Sequence, residues 1–205
     1  MSSHFFAAIS RMKYIERWAL MRSSRPENLS EHAAEVAMIA HALCVIGNTR
    51  YRRHLNADRA AVIGLFHDAS EIITGDMPTP VKYYNDELHH AYKQVEQVAE
   101  ERLISKLPED LQPCYRALFH ETCAENSEAH YLRRLVKAAD KLSALIKCIE
   151  EERAGNTEFQ TAKTSISAAV QQLAAELPEV RDFTEEFLPS YGKTLDELLR
   201  TGESL

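Results

Sequence analysis

The sequence predicts an all-α bundle of long helices, and three observations carry that reading. Glycine and proline are scarce, 6 and 7 in 205 residues, where average usage gives roughly 14 and 10. Both are missing from 81–107, 114–154 and 156–177, stretches too long without turn residues for a β-sandwich or barrel. Apolar residues within them recur at three- and four-residue spacing, the period of a helix that buries one face. The length suits a single domain, 1–205, able to bury a core without staples.

Taken in order, Ser3 is placed to cap a first helix with the stripe Phe5, Phe6, Ile9, Met12 and Ile15. Residues 21–30 are polar, contain Pro26 and read as a loop. Ser30 is a good N-cap for a second helix over 31–46, with Val36, Ile39, Ala40 and Leu43 on one face and Gly47 as its stop. Asn56 or Asp58 starts a third helix that is apolar nearly all round, hence central, and ends near Gly75. Residues 75–80 form a loop stiffened by Pro78 and Pro80. A polar helix follows over 86–106, with Leu88, Tyr92, Val95, Val98, Ala99 and Leu103 as its stripe. Pro108 and Pro113 punctuate a shorter helix. Ser127 caps a helix over 128–153 that buries Leu132, Leu135, Val136, Ala139, Leu142 and Ile146 and stops at Gly155. Residues 159–177 and 179–188 make two more helices, and Thr194 with Glu197 has capping-box spacing.

Acidic residues number 31 and basic ones 24, a formal charge of −7. That balance argues against a nucleic-acid polymer or an anionic membrane as partner, while leaving room for a small anion held by a local cation or metal. Charges at Arg11, Lys13, Glu16 and Arg17 interrupt the first apolar run, so it does not read as a signal segment. No run of 18 apolar residues is present, and the expected compartment is the cytoplasm. Cys44, Cys114, Cys123 and Cys148 form no CxxC pair and are expected to be reduced thiols.

Buried charges need partners, so ionisable residues on apolar stripes mark candidate chemistry. His67 and Asp68 end the most apolar helix, with Glu71 one turn further on. Asp140 has Val136, Ala139 and Ser143 as helical neighbours, with Lys137 and Lys141 able to pair with it at the surface. His32 lies inside the start of the second helix. Each alone also suits a solvated helix end or a packed histidine. Together they read H…HD…D, two imidazoles and two carboxylates, a sensible ligand set for a divalent transition metal. Helix packing can bring ligands from three helices to one point. His41 is half a turn of azimuth away from His32 and does not join the set; His89 and His90 lie on the polar helix and read as solvated.

The H…HD…D signature resembles that of the HD-domain metal-dependent phosphohydrolases. The longer segments NLSEHAAEVAMIAHAL, FHDASEIITGDMPTPVKYYN, KAADKLSALIKCIEE and SHFFAAISRMKYIERWALM resemble more specifically the bacterial 5′-deoxynucleotidases of that superfamily. The resemblance implies an HD-domain helical bundle and a homodimer. It implies a metal-dependent enzyme that removes the 5′-phosphate of deoxynucleoside monophosphates with broad base tolerance. One divalent ion, cobalt, manganese or similar, is the implied cofactor. His32, His67, Asp68 and Asp140 match the metal ligands, and Glu71 matches the catalytic carboxylate. Arg17 and Trp18 match the nucleotide-handling pair, with Arg17 orienting the phosphate. Asp76, Met77, Pro78 and Thr79 match the segment that reads the sugar, and Asp68 and Asp140 also face the substrate. A close wall formed by Trp18 would exclude a ribose 2′-hydroxyl. Within the superfamily, hydrolysis of a deoxynucleoside triphosphate, an alarmone or a cyclic nucleotide is the alternative, and a helical scaffold with a structural metal is the alternative outside it.

Overall fold

The computed structural model describes residues 2–82, 84–119 and 127–200, with the side chain of Thr79 also outside the description. The elements run α1 (Phe5–Ile9), β1 (Glu16–Arg17), β2 (Glu27–Asn28), α2 (Leu29–Arg50), α3 (Ala57–Phe66), α4 (Glu71–Thr74), α5 (Thr79–Lys82), α6 (Asp86–Ile104), α7 (Gln112–Phe119), α8 (Glu128–Arg153), α9 (Gln160–Glu176), α10 (Pro178–Glu186) and α11 (Leu195–Leu199). Helices dominate as expected, and among the described residues the strands are one antiparallel pair with Glu16 opposite Asn28 and Arg17 opposite Glu27.

The α2 helix is the hub, packed on α3 and α8. Val36, Ile39, Ala40 and Leu43 meet Ala60 and Ile63 from α3 and Leu135, Val136, Ala139, Leu142 and Ile146 from α8. Its length and mean hydropathy (1.3) would suit a membrane span, yet 56% of that stretch is buried inside the protein. Asn28, not Ser30, caps it: the Asn28 Oδ1 accepts from the backbone N–H groups of Ser30 and Glu31 at 3.0 and 3.1 Å. The β1–β2 pair holds Asn28 extended immediately before the helix, the backbone shape an N-cap requires. Nor does Gly47 stop α2. It sits inside the helix where α10 crosses closely: a Cβ there would lie 2.8 Å from the Glu179 Oε1.

Asn56 caps α3 by accepting from the Arg59 N–H. A Cβ on Gly64 would lie 2.9 Å from the Ala37 Cα, so this glycine lets α3 close onto α2. The α3 helix is one-faced rather than apolar-buried all round, since Val62 and Leu65 are exposed. It also ends at Phe66, well short of Gly75. The Gly64 carbonyl accepts the ring N–H of His67, and i→i+3 bonds (Phe66 to Ala69, Asp68 to Glu71) turn the chain before α4 begins.

Three smaller differences have simple causes. The first helix is short and passes through a 3₁₀ turn, Ser10–Tyr14, before the chain extends into β1; His4 holds the N-cap position without a side-chain bond, while the Ser3 hydroxyl accepts from the Phe5 N–H at 3.5 Å and donates to the Lys106 carbonyl. The 21–30 loop contains β2, and the 75–80 loop contains the start of α5. On α6 the buried residues are Tyr92, Ala99, Leu103 and Ile104, while Val95 and Val98 are exposed; at 100° per residue they lie roughly 60° and 120° from Tyr92. Ser127 caps α8 and Thr194–Glu197 forms the capping box as expected. Cys44 and Cys148 are buried thiols and Cys114 an exposed one, while Cys123 lies outside the described residues.

Candidate active site

The buried stripe of α2 carries His32 to the centre of the molecule, fully buried. The turn after α3 supplies His67 and Asp68, and the middle of α8 supplies Asp140. The Nε2 of His32 lies 3.5 Å from the Asp68 Oδ2 and 3.3 Å from the Asp140 Oδ1. The Nε2 of His67 lies 3.1 Å from the same Asp68 oxygen. Ligand atoms of His32, His67 and Asp68 all fall within 4.8 Å of one another, and Asp140 joins through its contact with His32. Four residues spread over 109 positions of sequence thus share one point.

This arrangement passes a test for a metal. Both Nε2 atoms are buried with no hydrogen-bond partner. Each Nδ1, by contrast, is engaged on the far side: His67 with the Gly64 carbonyl at 2.7 Å, His32 with the Ser143 hydroxyl at 3.0 Å. Imidazoles held by Nδ1 with Nε2 aimed at carboxylates suit a divalent cation. The electrostatics agree. Burial alone would raise both carboxyls, but contacts with His67 and His32 hold Asp68 well below the usual range. His32, with Lys141 at 3.3 Å, does the same for Asp140. Burial works against a charged His67, yet Asp68 and Asp140 push its pKa up to about 9. The site therefore favours positive charge at this point, a demand that a metal ion meets.

Glu71, at the start of α4, is also buried, and its Oε2 has no hydrogen-bond partner. Burial, then the charges of Asp68 and Asp76, push its pKa up to about 9. Lys82 pulls in the opposite direction, but its ammonium is held by Glu96 at 2.7 Å.

Arg17 and Trp18 sit at the end of β1. The Arg17 Nη1 donates to the Glu27 Oε2 at 2.7 Å, and the Trp18 Nε1 donates to the same oxygen at 3.0 Å. Burial opposes the Arg17 charge, but Glu27, Asp140, Asp68 and Asp76 more than offset it, so the guanidinium faces the acidic cluster. The backbone of Trp18 is left-handed, φ 60°, a conformation rare for a bulky residue. Its N–H donates to the Asp76 Oδ2 at 3.2 Å, and its ring packs edge-on against Phe159. The hairpin and the 75–78 segment, with half-buried Met77 and Pro78, therefore meet at the Trp18–Asp76 contact. A cavity of about 210 Å³, lined in part by Phe66, Phe119, Arg133 and Lys137, opens beside His67 and Asp140.

His41 stays at the surface near Asp58. His90 is exposed, whereas His89 is half-buried rather than solvated. Sequence reasoning missed Glu27, Glu35 and Ser143. Ser143 had a signal, a polar residue on the buried face of α8 one turn from Asp140. Glu27 had none, because a two-residue strand has no periodicity to read.

Helices that converge two histidines and two aspartates around a buried point, with HD at the end of one helix, define an HD-domain metal-dependent phosphohydrolase. The comparisons narrow this. Residues 4–191 match the model of the family described as 5'-deoxynucleotidase YfbR-like, and the chain belongs to that family of phosphomonoester hydrolases. It is 48% identical over 196 residues to the 5'-deoxynucleotidase of Erwinia tasmaniensis and 47% identical over 196 residues to that of Pectobacterium atrosepticum, covering 96% of each chain in both cases. Among solved structures, an HD-domain phosphohydrolase from Listeria innocua matches with a TM-score of 0.78 and 26% identity, over 92% of this chain and 88% of that one. The cyanophage S-2L HD phosphohydrolase, bound to dA and one catalytic Zn²⁺, shares the fold at a TM-score of 0.61 and 21% identity, over 92% of this chain and 96% of that one.

Proposed function

We propose that this chain is a cytoplasmic enzyme that hydrolyses 2′-deoxyribonucleoside 5′-monophosphates to deoxynucleoside and phosphate, with broad tolerance of the base. The observation that carries the reading is the pair of buried, unpartnered Nε2 atoms facing Asp68 and Asp140, with Arg17 feeling the charge of both aspartates and Glu71 that of Asp68. His32, His67, Asp68 and Asp140 would hold one divalent ion, with cobalt and manganese the first to try. Such an ion supplies an acidified water and a polarised phosphoryl oxygen.

The chain's own groups do the rest. Arg17 binds the phosphate oxygens and neutralises their charge. Glu71 keeps a proton in its buried setting, which suits donation to the leaving 5′-oxygen. Asp76 accepts from a sugar hydroxyl, and Met77, Pro78 and Thr79 hold that contact in a stiff segment. Trp18 walls the sugar at its 2′ carbon. The assembly in this reading is a homodimer, which light scattering would register as twice the 23.3 kDa chain.

The test is phosphate release from dAMP, AMP and dATP with Mn²⁺ or Co²⁺, repeated with Glu71→Ala. The expected result is preferred hydrolysis of dAMP that collapses in the variant. Preference for AMP or dATP would overturn the substrate class, and equal rates with and without Glu71 would overturn its role.

A further inference from the structure

We propose that Ser143 and Glu35 form a positioning relay that sets the tautomer of His32, leaving the lone pair on the nitrogen that faces the metal, and so sets the affinity of the site. The inference rests on the reading of His32 as a metal ligand. Ser143 is completely buried, one turn beyond Asp140 on α8. Its hydroxyl lies 3.0 Å from the His32 Nδ1 and donates to the Glu35 Oε2 at 2.6 Å.

A hydroxyl has one proton to give. Here it goes to Glu35, so Ser143 turns a lone pair toward His32. The Nδ1 must then carry the hydrogen and donate it. In the neutral ring the lone pair is left on Nε2, the atom aimed at Asp68 and Asp140. The chain Nδ1–H to Oγ–H to carboxylate has one direction, and reversing it would require Glu35 to give up its role as acceptor. Glu35 lies one turn after His32 on α2, so the relay joins α2 to α8 and back. The two histidines differ in this respect. A backbone carbonyl orients His67, and no side-chain substitution removes it. His32 alone depends on side chains for its tautomer, which makes this relay the adjustable part of the ligand set.

Removing the partner of a metal-bound imidazole weakens metal affinity about 10- to 100-fold. The test measures Zn²⁺ affinity by chelator competition, together with melting of the metal-free protein, for wild type, Ser143→Ala, Glu35→Ala and Glu35→Gln. Ser143→Ala and Glu35→Ala are expected to lose affinity by that factor with unchanged metal-free melting. Glu35→Gln retains an acceptor oxygen for Ser143 and is expected to recover most of the loss. Wild-type affinity in Ser143→Ala overturns the relay, as does a loss matched by weaker metal-free melting and not recovered in Glu35→Gln. A wild type that binds no Zn²⁺ overturns the ligand reading itself, a result distinct from equal binding by wild type and variant.

Discussion

Arg17 and Glu27 face each other across the two-residue strand pair, and one Glu27 oxygen holds the Arg17 guanidinium at 2.7 Å. The same oxygen accepts from the Trp18 indole. A single carboxylate thus orients both side chains proposed to handle the nucleotide. Glu27→Ala is expected to lower kcat/KM for dAMP by roughly tenfold or more, ~1.4 kcal/mol of transition-state stabilisation. Glu27→Gln keeps an acceptor and is expected to lose less. Steady-state kinetics check this, and full activity in Glu27→Ala would remove Glu27 from the account.

Trp18 is held on three sides, by Asp76 at its backbone, Glu27 at its indole nitrogen and Phe159 against its ring. A wall so fixed can reject a substrate by shape. Trp18→Ala is expected to narrow the dAMP-to-AMP ratio of kcat/KM by about tenfold, the order of discrimination a pocket gains from excluding one small group. An unchanged ratio would assign deoxyribose selection elsewhere.

Glu71 makes stability depend on pH in a defined direction. Its ordinary pKa is 4.5, and in the folded protein it is pushed up to about 9 by burial and by Asp68 and Asp76. Between those values the folded chain keeps a proton that the unfolded chain has released, so stability falls as pH rises across that window. His67, also raised to about 9, contributes stability that is fully present below its ordinary pKa and lost as pH rises through about 9. Comparing wild type with Glu71→Gln isolates the carboxyl. In chelator-treated protein the variant is expected to lose less melting temperature from pH 5 to pH 8, and parallel pH profiles would contradict the buried, protonated Glu71.

The segment before β2 depends on a buried ion pair. Glu151 pairs with Lys147, both nearly inaccessible, and accepts from the backbone N–H groups of Ser24 and Arg25. Lys147 in turn donates to the Arg25 carbonyl. Glu151→Gln strands a buried ammonium and is expected to cost about 3 kcal/mol at pH 7. Glu151 is lowered from 4.5 to about 2: burial opposes its charge, but Lys147, the Ser24 N–H and Asn156 outweigh that. Its stabilisation is therefore present above pH 4.5 and lost as pH falls toward 2. Denaturant unfolding of the two proteins should converge over that interval, and a pH-independent gap would speak for packing instead.

The candidate ligand set was legible because metal chemistry restricts residue types and because α2, α3 and α8 carry strong periodic stripes. The same logic failed at ends and turns. Asn28 and Ser30 are both good caps, and only the strand pair decides between them. Whether α3 continues past Phe66 is a competition for the Gly64 carbonyl, which the His67 ring enters.

By itself, then, the sequence determined the helical class and the central face of α2, and it offered His32, His67, Asp68 and Asp140 as a candidate ligand set, since these follow from periodicity and donor chemistry along the chain. Tertiary structure alone decided that Glu27 grips Arg17 and Trp18, that Asp76 ties to Trp18, and that the Ser143 hydroxyl beside His32 donates its hydrogen bond to Glu35. Those are contacts between residues 9 to 111 positions apart. A hydrogen bond of that kind depends on where two backbones come to rest, and no local spacing encodes it.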